Sequence, residues 1–192
     1  MEKRLPLQVL LEIALMAALA FVIDLLIPSI KPMPSVYLNF SMIPIFILAF
    51  RRGVIPSAIA GMIWGLLQII TGEAWILHPI QTIMEYIIAL AFIGVAGIFK
   101  NQIQTHFQSG HKNSGLIIVT VAIIVGSLSR YFWHFLAGFF FWVELYEMPV
   151  EEGLWFSLWT NGLSGIGSGI LCAVIVGFLF VTSTQFIKQS IS

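Results

Sequence analysis

Uninterrupted apolar stretches run through most of this chain, and several are as long as a helix that crosses a membrane. Of the 192 residues, 59% are hydrophobic and 9% are charged. A soluble domain carries roughly a quarter charged residues, so most of this chain must have lipid as its solvent. Backbone groups in lipid must be hydrogen-bonded internally, which leaves helices or a closed barrel. Because the apolar runs are continuous rather than alternating, we expect an all-α integral membrane protein.

The Pro, Gly, Asn and Arg residues between the apolar runs divide the chain into a bundle of six transmembrane helices. The second helix is short, and the sixth is long enough to project beyond the bilayer. The helices are expected over residues 6–27, 39–50, 54–71, 77–99, 115–141 and 154–187. No internal repeat is evident, so residues 1–192 are expected to form a single six-helix membrane domain.

Basic residues are concentrated on one side of the predicted bundle. If the N-terminus is inside, Lys31 is the only lysine or arginine in the outer loops. The cytoplasmic segments then contain Lys3, Arg4, Arg51, Arg52, Lys100, Lys112 and Lys188. Because cytoplasmic loops of membrane proteins are enriched in Lys and Arg, this bias predicts that the N- and C-termini are both cytoplasmic.

Polar residues within the spans are candidates for function, because lipid disfavours them. They are Glu12, Asp24, Glu85, Arg130 and His134, with the neutral residues Gln68 and Asn161. Glu85, His134 and Asn161 each lie about seven or eight residues inside the outer end of a different helix, or roughly 10–12 Å below the outer surface. This shared depth predicts a pocket that opens outward. Glu12 and Asp24 lie near the ends of helix 1 and are expected to face water.

Aromatic side chains are concentrated at the same level of the predicted bundle. They are Trp64, Trp75, Tyr86, Trp133, Trp142, Trp155, Phe156 and Trp159. One interpretation is an interfacial belt, in which Trp and Tyr anchor helices at the headgroups. The other is a set of pocket walls. A carboxylate among flat aromatic faces suits a small aromatic cation, through charge pairing and cation–π contact.

Each polar residue also has a purely structural interpretation. Arg130 is expected about one turn deeper than His134 on the same face, where it could pair with Glu85 and neutralise the acid without a ligand. His134 could equally be a buried core histidine. Asn161 could form an ordinary hydrogen bond between helices.

Helix 1 carries a stripe of small residues in which Ala14 and Ala18 share one face. This spacing permits close helix packing, either within the bundle or against another membrane protein. The sequence contains no Walker, H-E-x-x-H or G-x-S-x-G pattern, so we expect no enzyme activity, no metal site and no cofactor. The zero net charge gives no indication of nucleic-acid binding.

Five segments of the chain together form a familiar pattern: Arg51-Arg52-Gly53, residues 61–67, residues 85–94, residues 130–138 and Asn161-Gly162. In these segments the chain resembles the thiamine-specific S component of energy-coupling factor (ECF) transporters, which is their substrate-binding membrane subunit. The similarity covers most of the chain from about residue 40 onward. It implies a six-helix bundle in the bacterial cell membrane that binds thiamine with high affinity near its outer face and takes part in vitamin uptake.

The resemblance also implies which residues bind the substrate. These are Glu85, Tyr86, His134, Trp142, Asn161, Trp64 and Trp75. Either Trp155 or Phe156 supplies a further wall. The family caps its ligand with a tryptophan in the first outer loop, and that loop has no tryptophan here. Tyr37 or Met33 could take its place.

The family engages a membrane scaffold subunit, called the T subunit, through an alanine motif on helix 1. Ala14 and Ala18 match this motif. The resemblance therefore implies a complex with a T subunit and two cytoplasmic ATPase subunits, with ATP used by the ATPase partners and not by this chain.

Three alternative functions stay open at this point. The chain could be an S component for another vitamin or for a thiamine precursor. It could be a stand-alone proton-coupled transporter, although it has only one well-placed acid. It could be an intramembrane enzyme with Glu85 and His134 as acid and base, although no nucleophile–base pair is visible at helical spacing.

Overall fold

The computed structural model describes residues 5–27 and 29–183, which form six helices and one short β-hairpin. The helices are α1 (Leu7–Leu26), α2 (Ile43–Arg52), α3 (Val54–Thr71), α4 (Pro79–Gln108), α5 (Lys112–Leu145) and α6 (Val150–Thr182). The strands are β1 (Ile30–Met33) and β2 (Val36–Leu38). The predicted all-α bundle of six helices is confirmed.

Four helices have a boundary that differs from the expected one by four residues or more. α2 begins at Ile43 instead of residue 39. α4 continues past residue 99 to Gln108, because the polar segment that follows the membrane span remains helical. α5 ends at Leu145 instead of residue 141, so Trp142 belongs to the helix. α6 begins at Val150 instead of residue 154, and its predicted end at residue 187 lies outside the described residues.

The first outer loop is a β-hairpin, which the sequence analysis did not predict. β1 and β2 are antiparallel, with Ile30 opposite Leu38 and Met33 opposite Val36. Ser35 adopts a φ of 63° in the turn between them. Strands of three or four residues are too short to show a clear alternating pattern in a sequence, so this element could not be recognised in advance.

The short helix α2 forms the centre of the bundle. Every residue from Ile43 to Phe50 is buried. Its ten residues extend about 15 Å, roughly half the thickness of the hydrocarbon core. The other five helices are long and apolar enough to cross a membrane. α2 is tolerated in lipid because protein surrounds it, and Gln104 Nε2 donates a 2.9 Å hydrogen bond to the Phe50 carbonyl at its end.

Glu12 does not face water, contrary to expectation, but joins α1 to α2. Its Oε1 lies 2.6 Å from Arg52 Nη2 and 3.1 Å from Arg51 Nη2, and its Oε2 accepts a 2.8 Å hydrogen bond from Arg52 Nε. The Phe180 ring near the end of α6 packs edge-on against Phe50 at 6.0 Å. The beginning of α1 and the end of α6 therefore lie on the side that contains these arginines, as expected for cytoplasmic termini.

Two glycines allow α3 to pack directly on the backbone of α4. A Cβ added at Gly65 would lie 1.6 Å from the Tyr86 carbonyl oxygen, and one at Gly61 would lie 2.1 Å from the Leu90 carbonyl oxygen. No side chain fits at these distances. This approach places residues 85 and 86 of α4 at the inner face of the bundle, where they reach a cavity.

Candidate ligand-binding cavity

A cavity of about 580 Å³ lies in the half of the bundle opposite the Glu12–arginine cluster. Pockets of this volume hold small molecules with two or three rings. Described residues from α1, α3, α4, α5, α6 and the hairpin all contribute to its walls. The acidic residues among them are Asp24, Glu73 and Glu85, and the basic residue is Arg130. Counted formally, the charge of these walls is negative.

Glu85 is the buried acid of the cavity, with 8% of its surface exposed. Its Oε1 accepts a 2.9 Å hydrogen bond from the indole N–H of Trp142, and its Oε2 accepts one from Gln81 Nε2. The ion pairs that the described residues form all involve Glu12, so the suggested Glu85–Arg130 pair does not exist here. Neutral donors orient the carboxylate, and its charge remains available to a ligand.

The backbone around Glu85 departs from regular α-helix. Residues Ile83–Ile88 form a π-helical turn within α4, and Gly138–Trp142 form another within α5. Such turns insert one extra residue into a helix and often occur at functional sites. Here the two turns bring Glu85 and Trp142 into hydrogen-bonding contact from different helices.

Aromatic rings surround this contact at the outer end of the cavity. The Trp75 ring meets that of Trp142 edge-on, with 5.5 Å between centroids and 75° between planes. The Tyr146 ring is nearly parallel to that of Trp142, at 6.2 Å and 21°. Tyr86 Oη accepts a 2.8 Å hydrogen bond from the Trp75 backbone N–H. The structure thus brings Trp75, Tyr86 and Trp142 together as expected, and adds Tyr146.

His134 and Asn161 also line the cavity, on α5 and α6. His134 Nε2 accepts a 3.3 Å hydrogen bond from Arg130 Nε. Because an imidazole that accepts at one nitrogen carries its hydrogen on the other, Nδ1 is the donor of this ring. Asn161 Nδ2 donates a 3.0 Å hydrogen bond to the Ser157 carbonyl within its own helix. Asn161 is therefore not the interhelical bridge that remained an alternative.

Trp64 is the one proposed wall residue that the structure places elsewhere. It is fully buried and is not among the described residues that line the cavity. The Arg130 guanidinium lies 5.2 Å from the centre of its ring. Trp64 therefore contacts the cavity residue Arg130 and does not itself form part of the cavity wall.

The sequence left open which residue of two pairs lies at the cavity, and the structure shows the position of each. Phe156 lines the cavity, whereas Trp155 has 64% of its surface exposed on the outside of the bundle. Tyr37 lines the cavity from β2, whereas Met33 does not. Lys31 Nζ lies 4.9 Å from the centre of the Tyr37 ring.

Asp24 was expected only to face water near the end of α1, and the structure places it in the cavity wall, where other elements hold it by hydrogen bonds. Its Oδ1 accepts hydrogen bonds from Asn39 Nδ2 at 2.9 Å and from Ser41 Oγ at 3.1 Å. Its Oδ2 accepts one from Gln68 Nε2. Asp24 and Gln68 are both polar residues within apolar spans. Because lipid disfavours unpaired polar groups, this feature of the sequence could have predicted that the two side chains contact each other.

Polar side chains of α5 and α6 hold the hairpin at the cavity. The Tyr37 backbone N–H donates to Ser164 Oγ at 3.0 Å, and the Asn39 N–H donates to Ser168 Oγ at 2.9 Å. The Tyr131 hydroxyl donates to the Tyr37 carbonyl at 3.2 Å. These bonds fix Tyr37 at the cavity wall.

The alanines of α1 lie on two different faces of the helix, one packed against the bundle and one exposed. Ala17 and Ala20 are fully buried against the bundle, whereas Ala14 and Ala18 are exposed. Packing within the bundle therefore does not explain why positions 14 and 18 carry small residues. They lie on an outward face of α1 whose neighbours Leu11 and Leu15 are 62% and 64% exposed.

These features define a multi-pass membrane protein with a closely lined cavity that opens on one side of the bundle. The model of the thiamine transporter protein family matches residues 10–188, and the chain belongs to this family. It is 35% identical over 189 residues to the thiamine transporter ThiT of Lacticaseibacillus paracasei, covering 96% of this chain and 92% of that protein. It is 34% identical over 182 residues to ThiT of Bacillus subtilis, covering 94% of each.

A solved structure of ThiT from Listeria monocytogenes has the same fold, with a TM-score of 0.86 and 33% sequence identity. The match covers 94% of this chain and 97% of that chain. The relatives are named as transporters of bacteria, which confirms the expected location in a bacterial membrane and a role in transport rather than catalysis.

Proposed function

We propose that this chain binds thiamine in the cavity and serves as the substrate-binding S component of an ECF-type uptake transporter. The observation that carries the proposal is Glu85, a buried acid whose partners are the neutral donors Trp142 and Gln81. A buried charge is costly unless something compensates it, so a cationic ligand that enters this cavity gains a strong contact. The family and the relatives named ThiT point to the same ligand.

The chemistry of thiamine matches the walls of the cavity. Thiamine is a permanent cation in which a thiazolium ring and an aminopyrimidine ring are joined by one carbon. The acids Asp24, Glu73 and Glu85 outnumber the single base Arg130 in these walls. Aromatic faces attract cations within about 6 Å of their centres, and the Trp142 ring is available for such a contact.

Each predicted site residue has a role under this proposal. Glu85 faces the cation or the amino group, and Trp142 stacks on the thiazolium ring. His134 on α5 contacts the ligand beside Trp142, and Asn161 on α6 hydrogen-bonds the pyrimidine edge, since both residues line the cavity. Tyr86 and Trp75 close the side of the cavity, and Trp64 acts only indirectly through Arg130. Phe156 and Tyr37 complete the apolar walls.

The proposal extends to the partners of the chain. We assign Ala14 and Ala18 as the docking face for a membrane T subunit, because they are exposed among apolar residues of α1. Small residues at this spacing let two helices approach closely in lipid. Two cytoplasmic ATPase subunits supply the energy from ATP, since the chain itself carries no nucleotide-binding motif.

Calorimetry on the purified protein in detergent tests the ligand, with thiamine, riboflavin and biotin as the panel. Saturable binding of thiamine alone supports the proposal, and preference for another vitamin contradicts it. Uptake of labelled thiamine into cells tests the coupling. Uptake that requires co-expressed T and ATPase subunits supports an ECF transporter, whereas uptake by this chain alone would show a self-sufficient transporter.

A further inference from the structure

The loop between α3 and α4 carries the cavity residue Trp75, which has 63% of its surface exposed. Both polar groups of the Trp75 backbone are bonded to side chains of α4. The N–H donates to Tyr86 Oη at 2.8 Å, and the carbonyl accepts a 3.2 Å hydrogen bond from Gln81 Nε2. Tyr86 lines the cavity, whereas Gln81 is not among the described residues that do so. The position of the Trp75 wall therefore involves a residue that the ligand does not reach.

The side chain of Gln81 is fully buried, and both ends of its amide have partners. Oε1 accepts a 3.1 Å hydrogen bond from the Leu77 backbone N–H. Nε2 donates to the Trp75 carbonyl and to Glu85 Oε2. Because a backbone N–H only donates and a backbone carbonyl only accepts, these contacts determine which end of the amide faces which partner. A buried polar group that loses its partner costs free energy, so the amide is held in this orientation.

Gln81 completes a closed circuit of four contacts around the acid of the cavity. Its amide donates to Trp75 and to Glu85. The Trp75 ring meets that of Trp142 edge-on, with 5.5 Å between centroids, and the Trp142 indole N–H donates to Glu85. Since each of the four residues touches the next, a shift of Gln81 changes the position of the loop and of the carboxylate together.

We propose that Gln81 is a positioning residue, whose single amide fixes the Trp75 wall against Trp142 and orients the Glu85 carboxylate. Affinity for a cationic ligand then depends on Gln81, although this side chain makes no contact with the ligand. The effect on affinity rests on the proposed function, whereas the arrangement of the loop does not. The tests below address the two parts separately.

The first test uses circular dichroism of the purified protein without ligand. Two indoles in contact give an exciton-coupled signal that depends on their separation and angle, and the difference between wild type and Trp75→Phe isolates the signal of the Trp75–Trp142 pair. Gln81→Met keeps the length of the side chain but loses the amide, so it should lose the same signal. Gln104→Met, which removes a hydrogen-bonded glutamine near the other end of α4, should keep it. An unchanged signal in Gln81→Met would overturn the inference.

The second test measures thiamine affinity by calorimetry in three backgrounds. Gln81→Met should weaken binding about fivefold in the wild type but only about twofold in Trp75→Ala and in Glu85→Gln, because residues of one network do not act independently. Gln104→Met should weaken binding in none of them. The same factor for Gln81→Met in all three backgrounds would mean that Gln81 acts through general stability alone, and would overturn the inference.

Hydrogen exchange of the wild type gives a decision even if Gln81→Met does not fold. The Trp75 and Leu77 amides lie in a loop, and both donate to side chains of α4. They should exchange more slowly than the amide of Ile76, which lies between them and is 56% exposed. Equally fast exchange at all three amides would overturn the inference. Failure of the wild type to bind thiamine, with slow exchange preserved, would instead remove the proposed function and leave the positioning of the loop intact.

Discussion

Trp142 and Glu85 are joined by a 2.9 Å hydrogen bond between two helices, from the indole nitrogen to carboxylate Oε1. Each of the two residues lies in a π-helical turn, so the contact depends on local distortion of both helices. The bond fixes the carboxylate and the face of the indole relative to each other. Most of the expected behaviour of the cavity follows from this pair.

Glu85→Gln should weaken thiamine binding at least tenfold, or about 1.4 kcal/mol, because it removes the buried negative charge while preserving shape. Calorimetry on the purified variant measures the change. Glu144→Gln, at an exposed position of α5 that does not line the cavity, is the matched control and should bind as wild type does. Equal affinities of Glu85→Gln and wild type would exclude Glu85 as the cation partner.

Trp142→Phe should remove most of the tryptophan fluorescence quenching that thiamine causes, because Trp142 is the indole expected to stack on the ligand. The variant also loses the N–H that orients Glu85, so its affinity should fall as well. Trp155→Phe, at a position 64% exposed outside the bundle, should keep both quenching and affinity. Full quenching in Trp142→Phe would place the ligand elsewhere.

Asp24→Asn should destabilise the protein by about 1–3 kcal/mol, because the new amide cannot accept all three hydrogen bonds of the carboxylate. The melting temperature in detergent reports this loss. Glu73→Gln removes an acid from the same cavity at an exposed position and should leave the melting temperature nearly unchanged. Similar melting temperatures for Asp24→Asn and wild type would show that the cluster contributes little to stability.

Ala14→Trp and Ala18→Trp should abolish uptake without changing thiamine affinity, because both residues are exposed and neither lines the cavity. Uptake assays with co-expressed T and ATPase subunits, together with calorimetry on the isolated chain, separate the two effects. Val174→Trp, at a 67% exposed position on α6, is the control for a bulky residue facing lipid. Normal uptake by the Ala14 and Ala18 variants would exclude this face as the docking site.

The sequence alone was sufficient to predict the class of protein and the number of helices. Lipid allows few backbone arrangements, so continuous apolar runs had only one interpretation. The depths of Glu85, His134 and Asn161 also followed from counting residues, because a helix converts sequence distance into height. All three line the cavity, as that count predicted.

Only the tertiary structure decided the direction in which each side chain points. Asp24 was placed near water by its position close to a helix end, and yet three donors from other elements hold it. Trp64 was placed at the cavity by its depth, and yet it packs behind Arg130. Height along a helix follows from the sequence, but rotation about the helix axis depends on how neighbouring helices pack. That packing rests on contacts such as the approach of Gly65 to the Tyr86 carbonyl, which no count along a single helix reveals.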